Sequence, residues 1–235
     1  MNVEKLMKHV VPFFLGQDSF ARYKMSKNPR GLCYIINNIN FKQDRQVRHG
    51  AENDEKKLRE LFEDDLLFKV DGEKDLKSYD MGRVAAEVAQ RDHKEYDAFV
   101  FIIMSHGGHK EVIQGVDGNT LPIENLMNEF SPGKCPALKD KPKLFIIQSC
   151  RGSSKSKVST DTSDVDYDPD FLPDSTLSKG VCPFEADFLL AFSTAPDYVA
   201  YRNKSGSPFV QVCSIGRTGY SLFCGGISET LGGIH

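Results

Sequence analysis

Lys143-Leu144-Phe145-Ile146-Ile147-Gln148-Ser149-Cys150-Arg151-Gly152 opens as an apolar run and closes on a thiol. The run lacks the polar alternation of a half-exposed strand, so it reads as a strand covered on both faces. Ala98 to Met104 has the same character and ends on Ser105-His106-Gly107, with His106 forty-four residues before Cys150. Gly31 to Asn37 is a third run of this kind. Between the runs the apolar residues take helical spacing: Leu58, Leu61 and Phe62 within Glu52 to Asp64, Met81, Val84, Ala85 and Val88 within Asp80 to Arg91, then Ile123, Leu126, Met127 and Phe130. Leu66 to Val70 reads as a short strand and Ala186 to Ser193 as another. Buried strands alternating with amphipathic helices predict an α/β fold, a three-layer α/β/α sandwich on a mostly parallel central sheet. Parallel strands put their carboxyl ends on one edge, where open α/β sheets carry their chemistry. A Cys150/His106 dyad can assemble there.

The composition suits one globular domain: 235 residues, 40% hydrophobic and 27% charged, with a formal net charge of −3. No global basic field exists to hold nucleic acid or an anionic membrane, so protein partners are expected. The six cysteines stand singly, without C-x-x-C pairs, which fits a reducing compartment. The apolar patch Val10 to Leu15 is too short for a signal peptide, and no apolar stretch approaches the roughly 20 residues of a membrane span. A cytoplasmic location is the expectation. Between Ser153 and Gly180 polar residues and proline dominate, as in a mobile, protease-accessible segment. The stretch 215–235 holds six glycines and neither structural period.

A cysteine nucleophile works as thiolate and needs a neighbouring base, usually histidine. Attack on an amide creates an oxyanion, which backbone N–H groups in a strand-to-loop turn can hold, here those of Gly107 and Cys150. Taken singly, each residue has a plainer reading. A lone cysteine ending a strand is ordinarily an inert buried thiol, and Arg48 in a Gln/Arg/His-rich loop is ordinarily a solvated charge. His106 and His109 stand three apart in a Gly-rich turn with no third ligand nearby in sequence, so no metal is expected. No cofactor is expected either, since Asn37 to Phe41 lacks the Gly-rich phosphate loop a nucleotide fold requires.

The pentapeptide Gln148 to Gly152 resembles the caspase signature Q-A-C-[RQG]-G at every position but one, Ser149 standing where alanine is usual, with a histidine at about the right distance upstream. The likeness extends to Tyr23-Lys24-Met25, to Pro29 through Asn38, to Phe101 through Gly107, to Lys141 through Gln148 and to Glu185 through Leu189, in caspase order. It implies a cysteine endopeptidase that hydrolyses bonds after aspartate in protein substrates, as in apoptotic signalling. By resemblance Cys150 is the nucleophile and His106 its proton-transfer partner, with Gly107 and Cys150 forming the oxyanion hole. Arg48, Gln148 and Arg202 would form the pocket for a P1 aspartate, with Tyr201 walling P2 and Ala200 offering backbone to substrate.

The resemblance also divides the chain into a short N-terminal segment (1–22), a large-subunit region (23–152), an intersubunit linker (153–180), a partial small-subunit region (181–214) and a divergent tail (215–235). Caspases are zymogens cut after aspartate between their subunits, which singles out Asp164 and Asp174 as processing sites. Tyr201-Arg202-Asn203 and Tyr23-Lys24-Met25 look initiator-like, yet the short N-terminal segment leaves no room for a recruitment domain. Downstream of the segment Pro208 to Val212, which opens a helix in caspases, Gly216 and Gly219 should interrupt it, since glycine costs about 1 kcal/mol per helix position relative to alanine. A truncated small subunit is the expectation, with homo- or heterodimerisation weakened by a missing C-terminal strand. A second reading follows: a catalytically weak, caspase-like regulatory protein that binds a full-length caspase.

Overall fold

The structure, a computed structural model, describes residues 23–42, 47–151, 187–194, 197–198, 200 and 202–215. Tyr201, the linker with Asp164 and Asp174, the N-terminal segment and the tail from residue 216 lie outside the described residues. Five strands make the main sheet: β1 (Gly31–Asn37), β2 (Lys69–Lys74), β3 (Ala98–Met104), β7 (Lys143–Gln148) and β8 (Phe188–Phe192). Their order is β2-β1-β3-β7-β8, and every pair in it is parallel.

Why the three central runs lack polar alternation is visible in how they share their side chains. From β1, β3 and β7, the residues Leu32, Tyr34, Ile36, Phe99, Phe101, Ile103, Phe145 and Ile147 enter one core; Cys33, Ile35, Val100, Ile102, Met104, Leu144 and Ile146 enter the other. The first core is closed by α2 (Ser78–Ala89) and α3 (Ile123–Asn128), the second by α1 (Ala51–Glu60) and α4 (Pro208–Ile215) through Leu58 and Val210. The α/β/α layering expected from the sequence is what the chain adopts. Aromatic rings dominate the first core, with Phe99 stacked on Phe130 at 4.5 Å and Phe101 tilted against the same ring at 5.3 Å.

Three expectations need correction. The strand placed over Leu66 to Val70 begins at Lys69, because α1 runs on through a wider turn, Leu61–Asp65, that draws Leu66 in. The Leu66 amide donates to the Leu61 carbonyl at 3.0 Å and Phe68 to Phe62 at 2.8 Å, while Leu67 takes a left-handed φ of 58° to leave the helix. The strand itself, Lys-Val-Asp-Gly-Glu-Lys, lies on the sheet edge and carries the polar side chains that keep such edges soluble. α2 starts two residues before the expected Asp80, its first amide, from Ser78, being held by Asp117 Oδ1 at 3.1 Å. The Gly-rich turn after β3 instead opens a small antiparallel sheet of β4 (Gly107–Gly108), β5 (Val112–Gln114) and β6 (Thr120–Pro122), whose strands are too short to show a sequence period.

Candidate active site

The sheet order reverses between β1 and β3: β2 lies to one side of β1, and β3, β7 and β8 to the other. Such a switch point opens a crevice at the carboxyl edge. The register then fixes what meets there. Met104 stands opposite Gln148, so His106 and Cys150 each lie two residues beyond the last paired positions of adjacent strands. The Ser105 amide donates to the Gln148 carbonyl at 3.2 Å and carries the alignment past the ladder. Phe41 packs its ring on the His106 imidazole at 4.5 Å. The half-buried Cys150 accepts a hydrogen bond at Sγ from the Ala200 amide at 3.4 Å. The amide expected to face a substrate strand is here turned to the thiol.

Gly107 is held against the nucleophile's strand end. A Cβ at this position would come 2.6 Å from the Cys150 carbonyl oxygen and 2.9 Å from the Ser149 side chain. Only glycine fits so close an approach. Gly107 pairs with Ile113, and the Gln114 amide donates to the His106 carbonyl at 2.9 Å. In that antiparallel pattern Gly107 is the non-hydrogen-bonded member, so its own N–H points away from β5.

Beside this edge lie two buried arginines. Arg48, read from its neighbours alone as a solvated charge, is fully buried; the guanidinium replaces water with protein oxygens. One Nη donates to the side-chain oxygen of Gln148, the other to the Asn38 carbonyl at 2.8 Å. Arg202 is 7% exposed, and its Nε donates to the His49 carbonyl at 3.0 Å. Arg48, Gln148 and Arg202 therefore come together from the loop after β1, the end of β7 and the segment before α4. Among the described residues no group of three or more His, Cys, Asp or Glu is placed to hold a metal. His109 Nδ1 lies 3.2 Å from Asp197 Oδ1.

Sequence reasoning missed the residues that hold this edge in shape. Buried Asn38 accepts from the Leu76 amide at 2.8 Å and donates toward Ser105 Oγ and the Gln114 carbonyl, at 3.3 and 3.2 Å, tying β1 to the His106 turn. An asparagine pair ending an apolar strand, Asn37-Asn38, was the available signal. Asp54 was hidden by the charged run Glu52-Asn53-Asp54-Glu55, in which every residue reads as solvated. It is fully buried.

Fold and edge together define an α/β protein carrying a thiol and an imidazole on adjacent strand ends beside two buried arginines. The Caspase domain family model matches residues 30–216. The chain is 35% identical over 211 residues to caspase-8 of Mus musculus, covering 83% of this chain and 44% of that protein. It is 38% identical over 199 residues to caspase-3 of Mus musculus and 39% over 200 residues to caspase-3 of Mesocricetus auratus, in both cases covering 83% of this chain and 68% of the relative. The chain thus spans less than half the length of the caspase-8 relative and about two thirds of the caspase-3 relatives. It belongs to the caspase family.

Proposed function

We propose that the chain is a cysteine endopeptidase that cuts protein substrates after aspartate, in proteolytic signalling of the apoptotic type. The observation that carries this reading is the register of β3 and β7, which sets His106 and Cys150 at equal distances past Met104 and Gln148. In the proposed reaction the Cys150 thiolate attacks the scissile carbonyl while His106 holds the thiol's proton. The oxyanion is met by the amides of Gly107 and Cys150. As the C–N bond breaks, His106 gives its proton to the leaving amine, and a thioester joins the acyl fragment to Cys150. Water, deprotonated by His106, then hydrolyses the thioester and restores the thiol.

Arg48, Gln148 and Arg202 form the P1 subsite in this reading. Two guanidiniums present planar forks of donors that a carboxylate satisfies in pairs, which lysine cannot do. Tyr201 walls P2, Ala200 turns its backbone to the substrate once Cys150 is engaged, and the linker is processed after Asp164 or Asp174 between regions 23–152 and 181–214. A reducing cytoplasm keeps the thiol competent, and a second caspase-type chain is the natural partner. Cleavage of matched peptides with aspartate or asparagine at P1 tests the reading. The aspartate peptide is cut and its asparagine twin is not; Arg202→Ala lowers kcat/KM on the aspartate peptide by a factor of about 10² or more, the cost of leaving a desolvated carboxylate half-paired. Equal cleavage of the two peptides would remove the specificity from the proposal.

A further inference from the structure

Glu52 and Lys56 of α1 face solvent, whereas Asp54 between them is fully buried. Its two oxygens both accept from the Ser207 amide, each at 2.9 Å. A Cβ on Gly206 would lie 2.2 Å from Asp54 Oδ1, so the backbone there is wrapped directly on the carboxylate. Gly206 takes the left-handed φ of 108°, and its backbone exchanges hydrogen bonds with Asn203 at 2.9 and 3.2 Å. The turn 203–206 is thereby closed around Asp54, with Arg202 at its near end and α4 starting at its far end. Gly50 shares the contact: a Cβ there would meet the Asn203 carbonyl at 2.3 Å. One carboxylate thus joins the first turn of α1, which follows Arg48, to the segment that delivers Arg202.

Such a placement is unfavourable for the charge itself. Burial pushes the Asp54 carboxyl up to about 6, against the opposing influence of the Ser207 amide and of Arg48, Arg202 and Lys57. A hydrophobic residue would cover the same space without that cost, but it would neither accept from Ser207 nor offset the Arg48 and Arg202 guanidiniums nearby.

We propose that Asp54 is a positioning residue for P1 recognition, its carboxylate locking the 202–207 turn onto α1 so that the Arg202 and Arg48 guanidiniums converge on a single substrate carboxylate. The proposal rests on the reading of Arg48 and Arg202 as the P1 subsite. Asp54 touches neither substrate nor the reacting atoms.

The test uses the full purified chain and its Asp54→Asn variant, which keeps the shape and one acceptor oxygen for the Ser207 amide but removes the negative charge that faces Arg48 and Arg202 and sets an NH2 where the second acceptor stood. Both are titrated with an irreversible ketone peptide bearing P1 aspartate, and separately with iodoacetamide, which reads Cys150 without the pocket. The expected result is a rise of about tenfold in KI for the peptide, well beyond any fall in its inactivation rate constant. Iodoacetamide separates that loss from a collapsed fold, which would change the reactivity of the thiol as well. As pH falls through 6 the wild-type KI rises more steeply than the variant's, because protonation removes the Asp54 charge that offsets Arg48 and Arg202. His49, exposed on the turn, and the Arg48, Arg202 and Lys57 charges are common to both proteins. A KI within twofold of wild type overturns the proposal. Should the wild type itself resist the P1-aspartate peptide, the subsite reading has failed, and hydrogen exchange over residues 202–210 decides the positioning alone: faster exchange in Asp54→Asn supports it, unchanged exchange overturns it.

Discussion

At the scale of single residues, Gly107 and Ser149 stand beside Cys150 for different physical reasons. Gly107 is required by space, since the nearest carbonyl oxygen would stand 2.6 Å from any Cβ, a distance real Cβ atoms essentially never adopt. Gly107→Ala should therefore displace the turn that carries the amide proposed for the oxyanion, cutting kcat on a P1-aspartate peptide by about 10²-fold or more, with far-ultraviolet circular dichroism unchanged. Retained activity would mean that the oxyanion is met elsewhere. Ser149, at the one position where the signature pentapeptide departs from the family pattern, is 2% exposed, and its hydroxyl has no hydrogen-bond partner among the described residues. An unsatisfied buried hydroxyl costs about 1–3 kcal/mol. Ser149→Ala should accordingly stabilise the fold by about 1 kcal/mol in urea titration; a loss of stability would show that the hydroxyl is engaged after all.

At the scale of elements, the central strands were legible to within a residue and the start of the edge strand β2 was not, for one reason. β1, β3 and β7 bury both faces, so burial alone writes their sequence, and the apolar runs coincide with the strands to within a residue. β2 lies on the edge, where solubility writes the sequence, and its start was misplaced accordingly. α2 begins where Asp117 holds the Ser78 amide, a contact thirty-nine residues distant that no local pattern announces. The aromatic cluster joining β3, β7 and the turn after α3 can be tested directly. Phe101 is fully buried against Phe99, Phe130, Phe145 and Tyr34, so Phe101→Ala should lower unfolding stability by about 3–5 kcal/mol through lost contacts and the cavity left behind. A loss below about 1 kcal/mol, measured by the urea midpoint at unchanged m-value, would mean that the core collapses into the space.

At the scale of the whole molecule, the candidate site is assembled from segments far apart in the chain: the loop after β1 brings Arg48, the turn after β3 brings His106 and Gly107, the end of β7 brings Gln148 and Cys150, and the segment before α4 brings Arg202. The sequence could announce the thiol and imidazole, because a short pentapeptide and a strand end mark them. Arg48 and Arg202 were visible only by family resemblance; no local pattern distinguishes a guanidinium that will be buried from one that stays in water. Asp54 was not visible at all and Asn38 only as part of an asparagine pair ending a strand, because their importance lies in partners brought near by the sheet rather than by the chain. The central claim is that this assembly yields one reactive cysteine beside one aspartate-reading pocket. Active-site titration with an irreversible peptide carrying P1 aspartate, read as adduct mass beside a Cys150→Ala control, tests it most directly. The account predicts a single adduct on Cys150, absent in the control and absent when P1 is asparagine. A folded protein that takes no adduct, or takes both peptides equally, would contradict it.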